Sequence, residues 1–235
     1  MYPLPQRVTL APELSSAQSA QPLLVEAQVA WSEPHVLYWP VKRAFDIVVA
    51  VIAILLLLVL LLPISVLLLV EDGGPPIYRG EAVGYRGRRF KVYKIRTMRP
   101  DADEYIAQNP ELRAAFLEHF KLADDPRVHR VGRFLRKTSL DELPQAINVL
   151  LGDMTWVGPR YVRPEELERY GTFASQRLSM RPGVTGLWQI SGRSNLPYPL
   201  RTVYDRTYYY TRSLWTDFKI FSLTIPSILR RDGAV

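Results

Sequence analysis

Asp141 and Glu142 are adjacent carboxylates in the run Ser139-Leu140-Asp141-Glu142-Leu143-Pro144-Gln145. Such a pair can divide two tasks, nucleophilic attack and Mg2+ ligation. A helix N-terminus at this point would stabilise a carboxylate and hold a phosphate nearby. The same spacing is also that of a capping box, Ser139 with Glu142 three residues on, and composition alone favours that plainer reading. Just upstream, Arg127, Arg130, Arg133 and Arg136 recur every three residues. On a helix they form either a solvated face or a guanidinium cluster that grips phosphate oxygens two at a time. Downstream lie Gly158-Pro159-Arg160, Arg181-Pro182-Gly183-Val184-Thr185-Gly186 and Gly192-Arg193-Ser194. Glycine-rich loops that carry arginine present both backbone N–H groups and a guanidinium fork to anions. Each triplet is weak evidence alone; together, in one basic chain, they point to phosphate.

Other candidates carry less. Asp101-Ala102-Asp103 has the D-x-D spacing that nucleotide-sugar glycosyltransferases use for a metal, but with Glu104 beside it an acidic helix start is the better reading. His35, His119 and His129 show no paired metal spacing, and Tyr208-Tyr209-Tyr210 suits packing or a membrane interface better than base stacking. Cysteine is absent, which excludes a disulfide framework and thiolate metal sites.

The elements that must position these residues can be read from the pattern. Residues 85–95 alternate aromatic or β-branched residues with basic ones around a glycine, which predicts a hairpin strand with one basic face. Helices are expected over 101–121, 128–137 and 140–150, then a short strand over 154–157. Residues 181–199 read mostly as loop, followed by helices near 200–213 and 215–231. The last helix is amphipathic, suited to core packing or to a membrane interface.

The most extreme segment is apolar. From Ile47 to Val70 only Ser65 and Pro63 interrupt the apolar run. On hydropathy alone this is one transmembrane span, since a spanning helix needs about 20 apolar residues. Two features favour a re-entrant hairpin instead. Pro63 breaks or kinks a helix. Basic residues also flank both ends, Lys42 and Arg43 before, and Arg79, Arg86, Arg88, Arg89, Lys91, Lys94, Arg96 and Arg99 after, and such flanks stay cytoplasmic. Asp46 is spaced to pair with Lys42 and Arg43 at the membrane boundary, and Ser65 is placed to satisfy backbone groups freed by the proline. Residues 1–40 carry scattered prolines among Ser, Gln and Ala and read as a flexible tail with no cleavable signal peptide.

Composition sets the frame. The chain has 235 residues, 48% apolar and 23% charged, with 30 Lys+Arg against 23 Asp+Glu and a net charge of +7. A mean hydropathy of -0.05 excludes a polytopic membrane protein, and the apolar share excludes wholesale disorder. The positive balance calls for an anionic partner: nucleic acid, lipid head groups or a phosphorylated substrate. Two rival functions follow, a D-x-D glycosyltransferase and a basic scaffold or nucleic-acid binder; neither accounts for the ordered Arg/Gly/Pro motifs.

Those motifs fall in a familiar order. Lys42-Arg43-Ala44-Phe45-Asp46, the apolar segment, Tyr93-Lys94-Ile95-Arg96-Thr97-Met98, Leu140-Asp141-Glu142-Leu143-Pro144-Gln145, Gly152-Asp153-Met154, Gly158-Pro159-Arg160, Arg181-Pro182-Gly183-Val184-Thr185-Gly186 and Ser191-Gly192-Arg193 together resemble the bacterial sugar transferases, the monotopic phosphoglycosyl transferases. The resemblance spans about Val41 to Asp232. It implies an α+β, mostly helical fold, with a re-entrant membrane helix-break-helix over 41–72 bent at Pro63. A compact cytosolic domain over 73–235 would follow, with amphipathic interfacial helices and a small β element. It implies transfer of a hexose-1-phosphate from a UDP-hexose, galactose or glucose, to undecaprenyl phosphate, releasing UMP at the cytoplasmic face of the bacterial inner membrane. This would start exopolysaccharide or related glycoconjugate synthesis. By the same resemblance, Asp141 is the nucleophile, Glu142 assists through Mg2+, and both are metal ligands. Arg136, Arg160, Arg181 and Arg193 would meet phosphate or uridine, with Lys94, Arg96 and Asp205 as weaker candidates. Membrane lipid is an expected partner, a homo-oligomer is an open possibility, and nucleic acid is not expected. Tyr161 stands where the family often has a second proline, which alters the local loop.

Overall fold

The computed structural model describes residues 34–119, 122, 125–192 and 196–230. The long apolar run forms one helix, α1 (Tyr38–Asp72), which ends on Gly73 in the left-handed region (φ 71). A β-hairpin follows, β1 (Ile77–Val83) antiparallel to β2 (Arg89–Ile95), with Ile77 opposite Ile95 and Val83 opposite Arg89. Its turn is the 3-10 segment Tyr85–Gly87, so the expected basic strand starts after the glycine, at Arg89. Then come α2 (Ala102–Ala107), α3 (Pro110–His119) and α4 (Arg130–Thr138). One helix was expected over 101–121; Pro110 divides it, because proline has no N–H to continue a helix but suits a first position.

After α4 a single 3-10 turn, Leu140–Glu142, leads into α5 (Gln145–Leu151). Pro144 again splits what the sequence predicts as one helix. The short strand β3 (Thr155–Val157) pairs in parallel with β4 (Gly183–Thr185). Between them run the 3-10 segment Pro164–Phe173 and α6 (Ala174–Leu178). Helix α7 (Leu187–Ser191) follows β4 directly, so the expected loop over 181–199 contains a strand and a helical turn. Helices α8 (Tyr198–Thr211) and α9 (Leu214–Arg230) close the described chain, near their expected positions.

Helix α1 is the spine. Tyr38, Lys42, Asp46, Ala50, Ala53, Leu57, Ile64 and Leu68 are buried, a stripe of spacing three and four that makes one helix face. Ala50 and Ala53 pack with Ala146, Val149 and Met154, while Leu57, Ile64 and Leu68 pack with Ile95 and Leu135. A third cluster joins Val157, Tyr170, Phe173, Tyr208 and Ile220 on the other side of β3. The remaining faces of α1 are open, with Ile52, Leu58, Val59, Leu62 and Val70 between 62% and 81% exposed.

Three expectations need correction here. The helix-break-helix is not seen: the chain stays helical through Pro63. The Ser65 hydroxyl back-bonds to the Leu61 carbonyl (2.6 Å), not to the Val59 carbonyl that the missing Pro63 N–H leaves without its helical donor, so the expected role for Ser65 is not seen. Nor does Asp46 pair with Lys42 and Arg43. It accepts from Thr155 Oγ1 (2.7 Å) and the Trp156 N–H (2.9 Å). Lys42 instead meets Asp217 (2.6 Å) and the Val157 carbonyl (2.8 Å), and Arg43 donates to the carbonyls of Val149 and Leu150. Residues close in sequence pair only when no better partner arrives from a distant element, and here three did.

Candidate active site

Ser139 ends α4 in the left-handed region (φ 56), unusual for a residue with a side chain. That backbone turn swings the chain into the Leu140–Glu142 turn. The capping box expected of Ser139 and Glu142 does not form: the Ser139 side chain makes no cap bond, and the two carboxylates sit on a lone 3-10 turn.

Cations converge on this turn from separate elements. Lys94, near the end of β2, lies 2.9 Å from Glu142 Oε1 and 3.8 Å from Asp141 Oδ2. Arg160, just after β3, reaches the same Glu142 oxygen at 2.9 Å. Both cations lie over the Tyr161 ring, Lys94 at 5.7 Å and Arg160 at 5.0 Å. Arg136, in the last turn of α4, donates from Nε to Thr97 Oγ1 (3.0 Å) and lines the same cleft. Each cation is held by its element. Asn148, fully buried on α5, accepts from the Tyr93 N–H (3.0 Å) and donates to the Lys91 carbonyl (2.7 Å), fixing the strand that carries Lys94. The loop that carries Arg160 crosses β4 so closely that a Cβ on Gly183 would stand 2.2 Å from the Gly158 nitrogen. The buried Arg177 donates to the Arg160 carbonyl.

The electrostatics separate the two acids. Burial raises Asp141, to about 6, and neighbouring Glu142 adds to the shift while Lys94 opposes it. Burial would raise Glu142 as well, but Arg160 and Lys94 outweigh it and hold Glu142 well below the usual carboxylate range. At neutral pH Glu142 is a firmly anchored anion, and Asp141 is an ionised carboxylate of raised basicity. That is the division expected between an anchoring residue and a nucleophile. Burial lowers Arg136, Asp141 and Asp125 oppose that shift, and Arg127 and Arg160 add to it, so this guanidinium stands among charges of both signs.

The dyad lines a cleft of about 630 Å3, a volume typical of small-molecule sites. One wall is polar and cationic. Another is built by Phe221, Ile225 and Ile228 of α9 with Trp156 and Val184. Among the described residues no three His, Asp or Glu side chains cluster to hold a metal by themselves. The arrangement fits Mg2+, which commonly takes one or two carboxylates and completes its shell with water and substrate phosphate.

Residues 37–231 match the family described as bacterial sugar transferase. This chain belongs to that family. It is 44% identical over 200 residues to the Salmonella typhimurium protein named undecaprenyl-phosphate galactose phosphotransferase, an overlap of 82% of this chain and 41% of that one. It is 43% identical over 197 residues to the exopolysaccharide production protein ExoY of Rhizobium meliloti, covering 82% of this chain and 87% of the relative. It is 37% identical over 201 residues to the Caulobacter vibrioides UDP-glucose:undecaprenyl-phosphate glucose-1-phosphate transferase, covering 82% and 71%. The chain spans about two fifths of the length of the Salmonella and Erwinia amylovora relatives, 41% of each.

In this family member the fold brings Asp141, Glu142, Lys94, Arg136 and Arg160 together. Arg96 also borders the cleft, but its guanidinium is held by both Asp72 oxygens (2.5 and 2.6 Å) and by the Pro75 and Met98 carbonyls. Arg181 is away from the cleft lining; it donates to the Gly152 carbonyl (3.0 Å) and lies over Tyr85. Asp205 is 1% exposed and accepts from the Tyr170 hydroxyl (2.8 Å) with Arg177 3.9 Å away, beneath the site rather than in it. Arg193 lies outside the described residues. Of the D-x-D pair, Asp101 forms a solvent-exposed pair with Arg99 (2.5 and 2.8 Å), while Asp103 borders the cleft. Arg163, Glu166, Trp188, Tyr198 and Arg201 line the cleft without having been expected there. The 3-10 segment brings in Arg163 and Glu166, and the packing of α7 and α8 brings in Trp188, Tyr198 and Arg201.

Proposed function

We propose that this chain transfers a hexose-1-phosphate, galactose or glucose, from a UDP-sugar to undecaprenyl phosphate and releases UMP. The observation that carries the reading is the buried Asp141–Glu142 pair, clamped by Lys94 and Arg160, in a cleft that continues onto the apolar wall of α9. A cleft polar at one end and greasy at the other suits a diphosphate meeting a lipid-borne phosphate. The printed activities of the Salmonella and Caulobacter relatives support the same choice, and the ExoY likeness supports a place at the start of exopolysaccharide or related glycoconjugate synthesis.

In the first step an Asp141 carboxylate oxygen attacks the phosphorus that bears the sugar. The bond from that phosphorus to the bridging oxygen breaks, and UMP leaves with the electron pair. In the second step a phosphate oxygen of undecaprenyl phosphate attacks the same phosphorus and the aspartyl bond breaks. This regenerates the carboxylate and yields the lipid diphosphosugar. Arg136, Arg160 and Lys94 hold and neutralise the phosphoryl oxygens as charge shifts to the leaving group. Mg2+, held by Asp141 and Glu142 together with substrate oxygens, would supply further charge neutralisation on the diphosphate. Helix α1 and the exposed α9 residues Trp215, Phe218 and Ile225 would embed in the cytoplasmic face of the inner membrane.

The test is a half-reaction. Full-length protein incubated with UDP-galactose or UDP-glucose, without lipid acceptor, should gain a phosphohexose on the peptide containing Asp141, read by mass spectrometry. Asp141→Asn should give no adduct and no UMP. Adduct that persists in that variant removes Asp141 from the nucleophile's role.

A further inference from the structure

The cleft has an end that the dyad chemistry leaves unused. Arg163 and Glu166 border it from the 3-10 segment, Trp188 from α7, and Tyr198 and Arg201 from α8. Helix α7 packs against both α8 and α9, so it stands between this end and the apolar α9 wall. Trp188 and Tyr198 are each 8% exposed. The Arg201 guanidinium lies 5.0 Å from the Trp188 ring centre and 5.8 Å from that of Tyr198, and its Nε donates to the Leu196 carbonyl (2.9 Å). A guanidinium fixed in this way is a flat cationic shelf on an aromatic base. Beside it stands a carboxylate. Glu166 Oε1 accepts from the Arg163 N–H (3.3 Å), while Oε2 lies 3.5 Å from the Tyr198 hydroxyl. Arg160 is close enough for its charge to depress the proton affinity of Arg201, after burial, so this end abuts the guanidinium that clamps Glu142.

We propose that this end is the nucleoside subsite: the pyrimidine stacks on the Arg201–Trp188 shelf, and Glu166 accepts from the ribose hydroxyls. The assignment rests on the reading above, a UDP-sugar attacked by Asp141. Attack on the sugar-bearing phosphorus pushes the leaving UMP away from Asp141, so its nucleoside must lie beyond the arginines that hold the diphosphate. A polyprenyl chain offers no hydrogen-bond donor to the half-buried Glu166 carboxylate and no flat face to a guanidinium. A nucleoside offers both, and stacking of a base on an aromatic or guanidinium plane contributes appreciably to binding.

UMP binding to the full chain in detergent micelles, measured by calorimetry, tests this directly. In Arg201→Gln and Glu166→Gln the affinity for UMP should fall about tenfold, the weight of one charge-assisted hydrogen bond or stacking contact. For UDP-hexose, KM should rise and kcat should change little. Glu166→Gln should also lose much of the preference for UMP over 2′-deoxy-UMP, a change that a merely structural role for Glu166 would not produce. Arg201→Lys keeps the charge but not the plane and should weaken UMP like Arg201→Gln, so the assignment stays testable if the glutamine variant fails to fold. Wild-type binding of UMP with unchanged affinity in these variants overturns the subsite. Failure of the wild type to bind either UMP or UDP-hexose overturns the transferase reading itself, and the subsite with it.

Discussion

Asp205 shows how differently one residue type behaves at two places in this chain. It and Asp141 are both buried carboxylates with proton affinities raised to about 6. Asp141 faces the cleft and lysine and arginine groups meant for substrate. Asp205 faces Tyr170 and Arg177, whose own side chain is fully buried. The family resemblance marks both as candidates, because a motif position does not tell whether a carboxylate meets a cavity or a buried partner. What distinguishes them is whether a cavity lies beside them, and that depends on packing between segments distant in sequence. The shift of Asp205 has a measurable consequence. Its pKa in the fold lies above the unfolded value near 4, so the fold binds this proton more tightly than the unfolded chain does. Its contribution therefore favours the fold at low pH and is lost as pH rises from about 4 to about 6. At about 1.4 kcal/mol per pH unit, the loss across that window is about 3 kcal/mol. Asp205→Asn should flatten this part of the stability curve. Melting temperatures of wild type and variant, compared from pH 4 to pH 7, should lie closest at the acid end and separate as Asp205 ionises, because burial penalises only its charged form. A constant offset across the range would show that Asp205 does not titrate there.

At the level of elements, the chain was most legible where pattern and local chemistry agree. The β1–β2 turn at Tyr85–Gly87, helix α4 and the two C-terminal helices stand near their expected places. The misses share a cause. Pro110 and Pro144 divide segments whose apolar periodicity runs on unbroken, while Pro63 sits inside α1 without ending it. The apolar stripe of α1 packs on the domain on both sides of Pro63. Tertiary packing thus overrides the breaker in one place and not in the other two. The same closeness governs α4. A Cβ on Gly132 would stand 2.1 Å from the Thr97 carbonyl oxygen, which receives the His129 N–H, while the Thr97 hydroxyl receives Arg136. Gly132→Ala should push α4 away from β2 and carry Arg136 with it. We expect a loss of about 1–3 kcal/mol in stability, the usual penalty for overpacking, and a rise in KM for the UDP-sugar. Thermal melts and initial rates of UMP release report the two effects separately. An unchanged KM would mean that Arg136 does not hold the donor.

Across the whole molecule, the question is whether the 35-residue α1 would cross a membrane or lie along one. By length and composition α1 is able to span, and only 22% of its most apolar stretch is buried, which is unlike the core helix of a soluble domain. At about 1.5 Å per residue it is roughly 50 Å long, well beyond the apolar thickness of a bilayer of about 30 Å. Its two ends nevertheless belong to one body. At the first turns Lys42 and Asp46 bind Asp217, Val157, Thr155 and Trp156. At the last turn Asp72 binds Arg96, and the Glu71 carboxylate caps α4 through the N–H groups of Arg130 and Val131. A transverse span would carry one set of these partners to the opposite side of the bilayer, away from the domain that supplies both. Breaking the buried set around Lys42, Asp46 and Asp217 would leave charges unpaired at a cost of several kcal/mol. The geometry therefore favours a helix whose open faces sink into one leaflet while both ends stay with the domain. The sequence reading takes the basic flanks to mean a hairpin broken at Pro63, and the helix makes no such break. The chain has no cysteine, so single cysteines report without background. Placed at Ser15 or Ser19 ahead of α1, and at Ser175 in the domain, they should all resist a membrane-impermeant maleimide in intact cells and react once the inner membrane is permeabilised. Labelling of the Ser15 or Ser19 position in cells whose Ser175 position stays protected would place the two ends of α1 on opposite sides, and the one-leaflet arrangement would be lost.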